Sequence, residues 1–260
     1  MVKYVCKWTS QLTDAEVNDF TFGPDDLTPK WQTIGPMWFD WMFLQNVYGD
    51  SIHVLVYDEC GLVGRRALWR NDVGGEMSFQ PMNTYVASRM RRKGIFSKMT
   101  KVALEEANGA YIYNFPNKSS VVGYLKLGWQ VRRSNVLGLY AGLRKAVVVA
   151  ESQREPIPED YFRWRFLNSP LHEYYVSKLR GISVLLKKRK LEVSINAFVV
   201  VGGLGGIDTD HLQRVSPLML FAHNPGQGLV CVRKNDDVLV ENTLYQTVNG
   251  DVSLWRSDTI

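Results

Sequence analysis

Cysteine is scarce in this chain: Cys6, Cys60 and Cys231 are its whole complement, odd in number and far apart. None belongs to a Cys-x-x-Cys pair or a His-rich stretch, so the sequence offers neither a disulfide framework nor a metal site. Long apolar runs are missing too. The most hydrophobic stretches, 136–150 and 195–204, fall short of the roughly 18–20 residues of a membrane-spanning helix, and the first carries Arg144 and Lys145. The N-terminus has no secretory-signal pattern. These absences point to a soluble protein of a reducing cytoplasm.

What is present is the make-up of a globular protein: 45% hydrophobic and 22% charged residues in a chain of 260, enough for one large domain or two small ones. The net charge is +5. Such an excess suits nucleic acid, a membrane surface or a small polyanion, and the distribution decides among them. Arg89, Arg91, Arg92, Lys93, Lys98 and Lys101 cluster around one glycine, and a second group sits at 187–190. A glycine turn dense in cations favours a compact phosphate-bearing ligand. Nucleic acid is the weaker reading, because basic and aromatic residues are not interleaved along one platform.

Two β-prone runs, 52–57 and 62–69, flank a polar Asp-Glu-Cys-Gly turn and read as a hairpin. A third strand is expected at 82–87. Between 96 and 108, Phe96, Met99, Val102, Ala103 and Ala107 recur at helical spacing, with Gly109 as a stop. Another strand is expected at 110–115, then a short helix at 119–127, capped by a serine and ended by Gly128. The order makes an α+β or α/β domain. Pro156 and Pro158, among charged residues, read as a linker through 151–160. Beyond it the pattern starts again. Phe39, Trp41, Phe43 and Leu44 recur as Phe162, Trp164, Phe166 and Leu167, always 123 positions apart, and the same offset sets LVGRRAL against LLKKRKL. The reading is two tandem units, 1–150 and 151–260, each with a mixed central sheet. The repeated aromatics are expected to be core anchors.

A strand, a basic glycine turn and a helix form a cradle for a pyrophosphate, because the first turn of a helix exposes unpartnered amides at its positive dipole end. Arg91, Arg92, Lys93, Gly94, Ile95, Phe96 and Ser97 occupy that turn. A glycine there lets a diphosphate approach the backbone. The stretch Arg91 to Phe96 lines up with the acyl-CoA signature Arg/Gln-x-x-Gly-x-Gly/Ala, meeting it at Arg91 and Gly94. Downstream, Asn117 and the run Tyr124-Leu125-Lys126-Leu127-Gly128-Trp129 match a second one, Asn followed by Tyr-x-x-Leu-Gly-Phe. On these two motifs the chain resembles the GNAT N-acetyltransferase superfamily. Phe96 departs from the pattern, where Gly or Ala is usual, and is compatible with it if the ring points into the core.

The resemblance implies acyl-CoA as co-substrate. Tyr85, Val86 and Ala87 would end a splayed strand, offering backbone groups to the pantetheine arm and an N–H to the thioester oxygen. Tyr124 would protonate the departing thiolate; a buried helix tyrosine is the plain alternative. Asn117 would bond the pantetheine or cap the following helix. No motif marks a general base: Glu76, His53 and His172 are candidates by residue type only. The second half has no Arg-x-x-Gly turn, and its glycines 202, 203, 205 and 206 precede Asp208 and Asp210. They read as a loop rather than a phosphate site, so the second half is expected to wall an acceptor pocket instead. The aromatic segments also resemble those of bacterial tandem-GNAT proteins that acylate a nucleotide-linked amino sugar with an acetyl or 3-hydroxybutanoyl group. Such a small-molecule acceptor would suit a basic protein. Protein or peptide acylation, and a non-catalytic CoA-binding module, stay open.

Overall fold

The computed structural model describes residues 1–23, 29–72, 75–114, 116, 118–133, 139–141, 158–179, 182–188, 197–203, 209–210, 212–215, 219–223 and 230–232. Two compact units emerge, Met1–Val131 joined by Cys231 and Val232, and the described residues of Arg132–Val230. Among the described residues no helix is long and apolar enough to cross a membrane.

The first unit is built on an antiparallel ladder of β1 (Lys3–Trp8), β2 (Ile52–Asp58), β3 (Gly61–Arg70) and β4 (Ser78–Val86), to which β5 (Tyr111–Asn114) adds in parallel. Strand alternation sends β2 to two apolar layers. Ile52, Val54 and Val56 join one core cluster, together with Ile95, Met99, Ala103 and Ala107 around helix α3 (Ile95–Glu106). His53 faces the other way, onto Phe20 of α1 (Asp14–Thr21), Phe39 of α2 (Pro29–Phe39), and Phe43. The sheet is therefore covered on both faces. Helix α3 seats closely because Gly64 of β3 lies under it: a Cβ there would stand 3.2 Å from both Ile95 Cγ2 and Met99 Sδ. Helix α4 (Lys118–Lys126) and β6 (Gln130–Arg133) follow β5.

The second unit holds β7 (Leu139–Ala141), helix α5 (Glu159–Phe162), β8 (Tyr174–Leu179), β9 (Ile182–Lys188), β10 (Ala197–Gly203), β11 (Gln213–Arg214) and β12 (Met219–His223). Its sheet order is β11-β8-β9-β10-β12-β7, mixed like the first, with β10 parallel to β12 and β8 parallel to β11. The last described strand, β13 (Val230–Val232), belongs to the first sheet: Cys231 pairs with Asn114 and Val232 with Tyr113.

The repeated aromatic segments adopt one local geometry. Asp40–Leu44 and Arg163–Leu167 are both π-helical turns, each closed by a bond five residues long, from Gln45 N to Asp40 O at 2.8 Å and from Asn168 N to Arg163 O at 2.9 Å. Their closing residues sit at φ −95°, ψ 9° and φ −92°, ψ 7°. Phe39, Trp41, Phe43, Phe162, Trp164 and Phe166 are buried, whereas Leu44 is exposed and Leu167 half-buried. The single offset does not extend to the hairpins. Asp58 pairs with Gly61 and Leu179 with Ile182, 121 positions apart, so LLKKRKL is not the register partner of LVGRRAL.

Other expectations are corrected. Residues 3–8, 14–21 and 29–39 form elements that the hydrophobic pattern did not mark. The serine expected to cap α4, Ser119, lies inside it, because the helix starts at Lys118; Asn117 lies outside the described residues. Glu159 and Asp160 are helical rather than linker, and most of the remaining linker, 151–157, lies outside the described residues. Gly202 and Gly203 belong to β10, at an irregularity in its pairing with β9, and not to a loop. Gly205, Gly206 and Asp208 lie outside the described residues.

Candidate functional site

The site begins where the first sheet opens. β4 and β5 pair only at Ser78–Tyr111 and Phe79–Ile112, although β4 continues to Val86. The amide of Asn71 donates to the Ser78 carbonyl, so Ser78 faces β3, and by alternation Phe79 and Pro81 face β5. Proline has no N–H to donate, so the parallel ladder stops there. The register against β3 then slips: Ala67 pairs with Met82 but Arg65 with Tyr85, leaving Asn83 and Thr84 opposite Arg66. Asn83 takes φ 45°, a left-handed conformation that asparagine tolerates, and forms a β-bulge that bends the strand. Past the bulge the Ala87 amide donates to Val63 O at 2.8 Å, which turns the Val86 amide to the opposite, open side. Of the three backbone positions expected to meet pantetheine, Val86 is the one whose N–H points that way.

The basic turn follows directly. Ser88–Met90 make a single tight turn, Arg92 sits at φ 63° and Gly94 at φ 78°, and Gly94 is the N-cap of α3. No side chain caps the helix, whose first internal bond runs from Lys98 N to Gly94 O. The amides of Ile95, Phe96 and Ser97 thus precede the helical ladder and point out of its positive end. Arg91 ties this turn to the opened strand, its Nε donating to Val86 O at 3.2 Å. The cations divide their work. Arg89 pairs with Asp58, holding that carboxyl down to about 2, and Lys98 lies 4.4 Å from the ring centre of Tyr4. Arg92 and Lys93 are exposed beside Gly94.

Beneath the turn lies a residue that sequence reasoning missed. Arg66 of β3 is fully buried and bonds three hydroxyls: Thr84 at 3.0 Å, Thr100 of α3, and Tyr124 of α4 at 2.9 Å. Its guanidinium lies 4.6 Å from the centre of the Phe96 ring. The unusual Phe96 therefore points inward, as its compatibility required, and stacks on a cation. Helix α4 makes room for it at Gly123, where a Cβ would come within 2.7 Å of the ring. Replacing Gly123 by Ala should destabilise the protein by about 1–2 kcal/mol despite the better helix propensity of Ala. Chemical denaturation reads this, and an unchanged or raised stability would contradict the packing. The signal for Arg66 was present in the sequence, as an arginine inside the apolar strand LVGRRALW.

Tyr124 is buried at the end of α4. The helix closes with the Trp129 amide on Tyr124 O at 3.2 Å and the Gly128 amide on Leu125 O at 3.0 Å, with Gly128 at φ 78°. This Schellman closure explains the Leu-Gly-aromatic ending. It also brings Trp129 to 4.7 Å from the Tyr124 ring, while Phe96 packs edge-on at 5.5 Å.

The three candidate bases lie in different surroundings. His53 is fully buried among Phe20, Phe39 and Phe43, its Nε2 3.0 Å from Thr9 Oγ1, and burial pushes its imidazole down to about 3. It is a neutral core residue. An unfolded histidine takes its proton near 6.5, so between that pH and about 3 the unfolded state binds the extra proton and stability falls as pH falls. From pH 7.5 to 5 this group should remove about 2 kcal/mol, a loss that His53→Phe abolishes. Denaturant titrations of both proteins at the two pH values measure it, and parallel pH dependences would refute it. Glu76 is exposed just before β4. His172 is in the second unit, 3.3 Å from Lys187 Nζ, on a cavity of about 640 Å³ that Phe166 and Tyr174 also line.

No protein-family model and no curated protein matches this sequence. Among solved structures, the chain is similar to a GCN5-related N-acetyltransferase from Kribbella flavida, with TM-score 0.54 and 11% identity, over 95% of this chain and 73% of that one. It is also similar to an acyl-CoA N-acyltransferase from Pseudomonas aeruginosa, with TM-score 0.40 and 16% identity, over 53% of this chain and 93% of that one. The first likeness identifies the fold as that of the GCN5-related N-acetyltransferases, α+β with mixed sheets.

Proposed function

We propose that the protein is an acyl-CoA-dependent N-acyltransferase. The observation that carries this reading is the meeting of two features. The uncapped start of α3, with Gly94 at φ 78°, is tied through the Arg91–Val86 bond to the end of a strand that has parted from its neighbour. The first feature suits a diphosphate. The second leaves backbone groups for an amide-bearing pantetheine and a thioester. In this reading Tyr85, Val86 and Ala87 line the arm, with the Val86 N–H on the thioester oxygen. Arg91 to Ser97 hold the phosphates, and Asn117, outside the described residues, is assigned to the pantetheine by its motif alone. Tyr124 donates a proton to the leaving thiolate.

For the acceptor we favour the amine of a nucleotide-linked amino sugar, acylated with an acetyl or short hydroxyacyl group. The net charge of +5 supports an anionic acceptor. The π-helical turns repeated at Asp40–Leu44 and Arg163–Leu167 support a duplicated architecture. The test is release of free thiol from acetyl- and 3-hydroxybutanoyl-CoA with a panel of dTDP- and UDP-amino sugars beside peptides. Release with sugars alone supports the full reading, and release with peptides alone replaces the acceptor. CoA binding without release from any mixture makes the protein a non-catalytic module.

A further inference from the structure

The guanidinium of Arg66 is fully buried, and among the described residues no carboxylate touches it; its polar partners are the hydroxyls of Thr84, Thr100 and Tyr124. A buried cation without a counter-charge is costly to desolvate, and the ring of Phe96 offsets that cost in part. Its geometry is held firmly. The Thr100 hydroxyl donates its own hydrogen to Phe96 O at 2.8 Å, so toward Arg66 it can only accept. Guanidinium has donors alone, so the Tyr124 oxygen must accept as well, and its single hydrogen points elsewhere.

Resting on the acyltransferase reading above, we propose that Arg66 is a positioning residue that aims the Tyr124 proton at the leaving sulfur and balances the charge left behind. As the acceptor nitrogen forms its C–N bond and the acyl C–S bond breaks, the thiolate takes the proton of Tyr124, giving free CoA thiol. The tyrosinate so formed is the anion that Arg66 lacks at rest. It recovers its proton from the one that the amine nitrogen gives up to solvent, which closes the cycle with amide and thiol as products. Burial lowers the Arg66 pKa while Tyr124 raises it, and by reciprocity the cation favours the ionised tyrosine.

The test is an ultraviolet titration of tyrosinate in the wild type and in Arg66→Gln and Arg66→Lys variants, each referred to the same protein carrying Tyr124→Phe. The midpoint assigned to Tyr124 should move up by about one pH unit or more in Arg66→Gln, a tenfold loss of acidity, and less in Arg66→Lys. In the same variants kcat should fall while CoA affinity holds, and any alkaline limb of the kcat profile should shift with the midpoint. If Arg66→Gln does not fold, Thr100→Val removes one anchor from Arg66 at nearly constant volume and should shift the midpoint in the same direction. An unmoved midpoint in the folded variants overturns the proposal. The titration needs no turnover, so this outcome is distinct from the absence of thiol release that would overturn the acyltransferase reading.

Discussion

Tyr124→Phe should lower kcat by roughly 10²–10⁴-fold, the contribution of a positioned general acid, and leave CoA affinity within about threefold. The substitution is clean in packing. Phe keeps the ring contacts to Phe96 and Trp129 and the backbone closure at Gly128, and removes only the hydroxyl. It does strand one donor of Arg66, so stability should fall by about 1–3 kcal/mol. Assays belong well below the melting temperature, with active sites counted by CoA titration. A kcat within fivefold of wild type would remove Tyr124 from the chemistry.

The second large effect is expected at Gly94. Its φ of 78° is unfavourable for a side-chain-bearing residue, and a Cβ there meets no atom within 4 Å. Gly94→Val should therefore destabilise the protein by roughly 1–2 kcal/mol through backbone strain, without a clash inside the fold. Gly109 provides the control, since it follows the other end of α3, also at φ 78° and also with nothing within 4 Å. Gly109→Val should show a similar stability loss with CoA binding unchanged. Only Gly94→Val should weaken CoA by about tenfold or more, because there the added carbons occupy the approach of the phosphates. Equal affinities in the two variants, measured by calorimetry, would rule out a diphosphate at this turn.

Much of the first unit was legible in the residues because it rests on local signals. The β2–β3 hairpin follows from two β-prone runs around a polar turn, and α3 from apolar residues at helical spacing between Gly94 and Gly109. The α4 ending follows from Gly128, whose φ of 78° few other residues adopt readily. The end of the β4–β5 pairing was also written locally, in Pro81, although only the register shows which way its missing N–H faces. Residues 3–8 were harder to read: half-buried along most of their length, they owe their place as β1 to pairing with β2 rather than to an apolar pattern.

By itself, then, the sequence determined the β2–β3 hairpin, α3, the ending of α4 and the basic glycine turn, since periodicity, turn residues and charge act over a few neighbouring positions. The tertiary structure alone decided what those elements bring together. The pairing of Cys231 and Val232 with Asn114 and Tyr113 leaves no local trace, because backbone hydrogen bonds are indifferent to side-chain identity. The gathering of Arg66, Thr84, Phe96, Thr100 and Tyr124 from β3, β4, α3 and α4 is of the same kind. Burial and a low local dielectric make that cluster matter, and both exist only once the chain has closed around it.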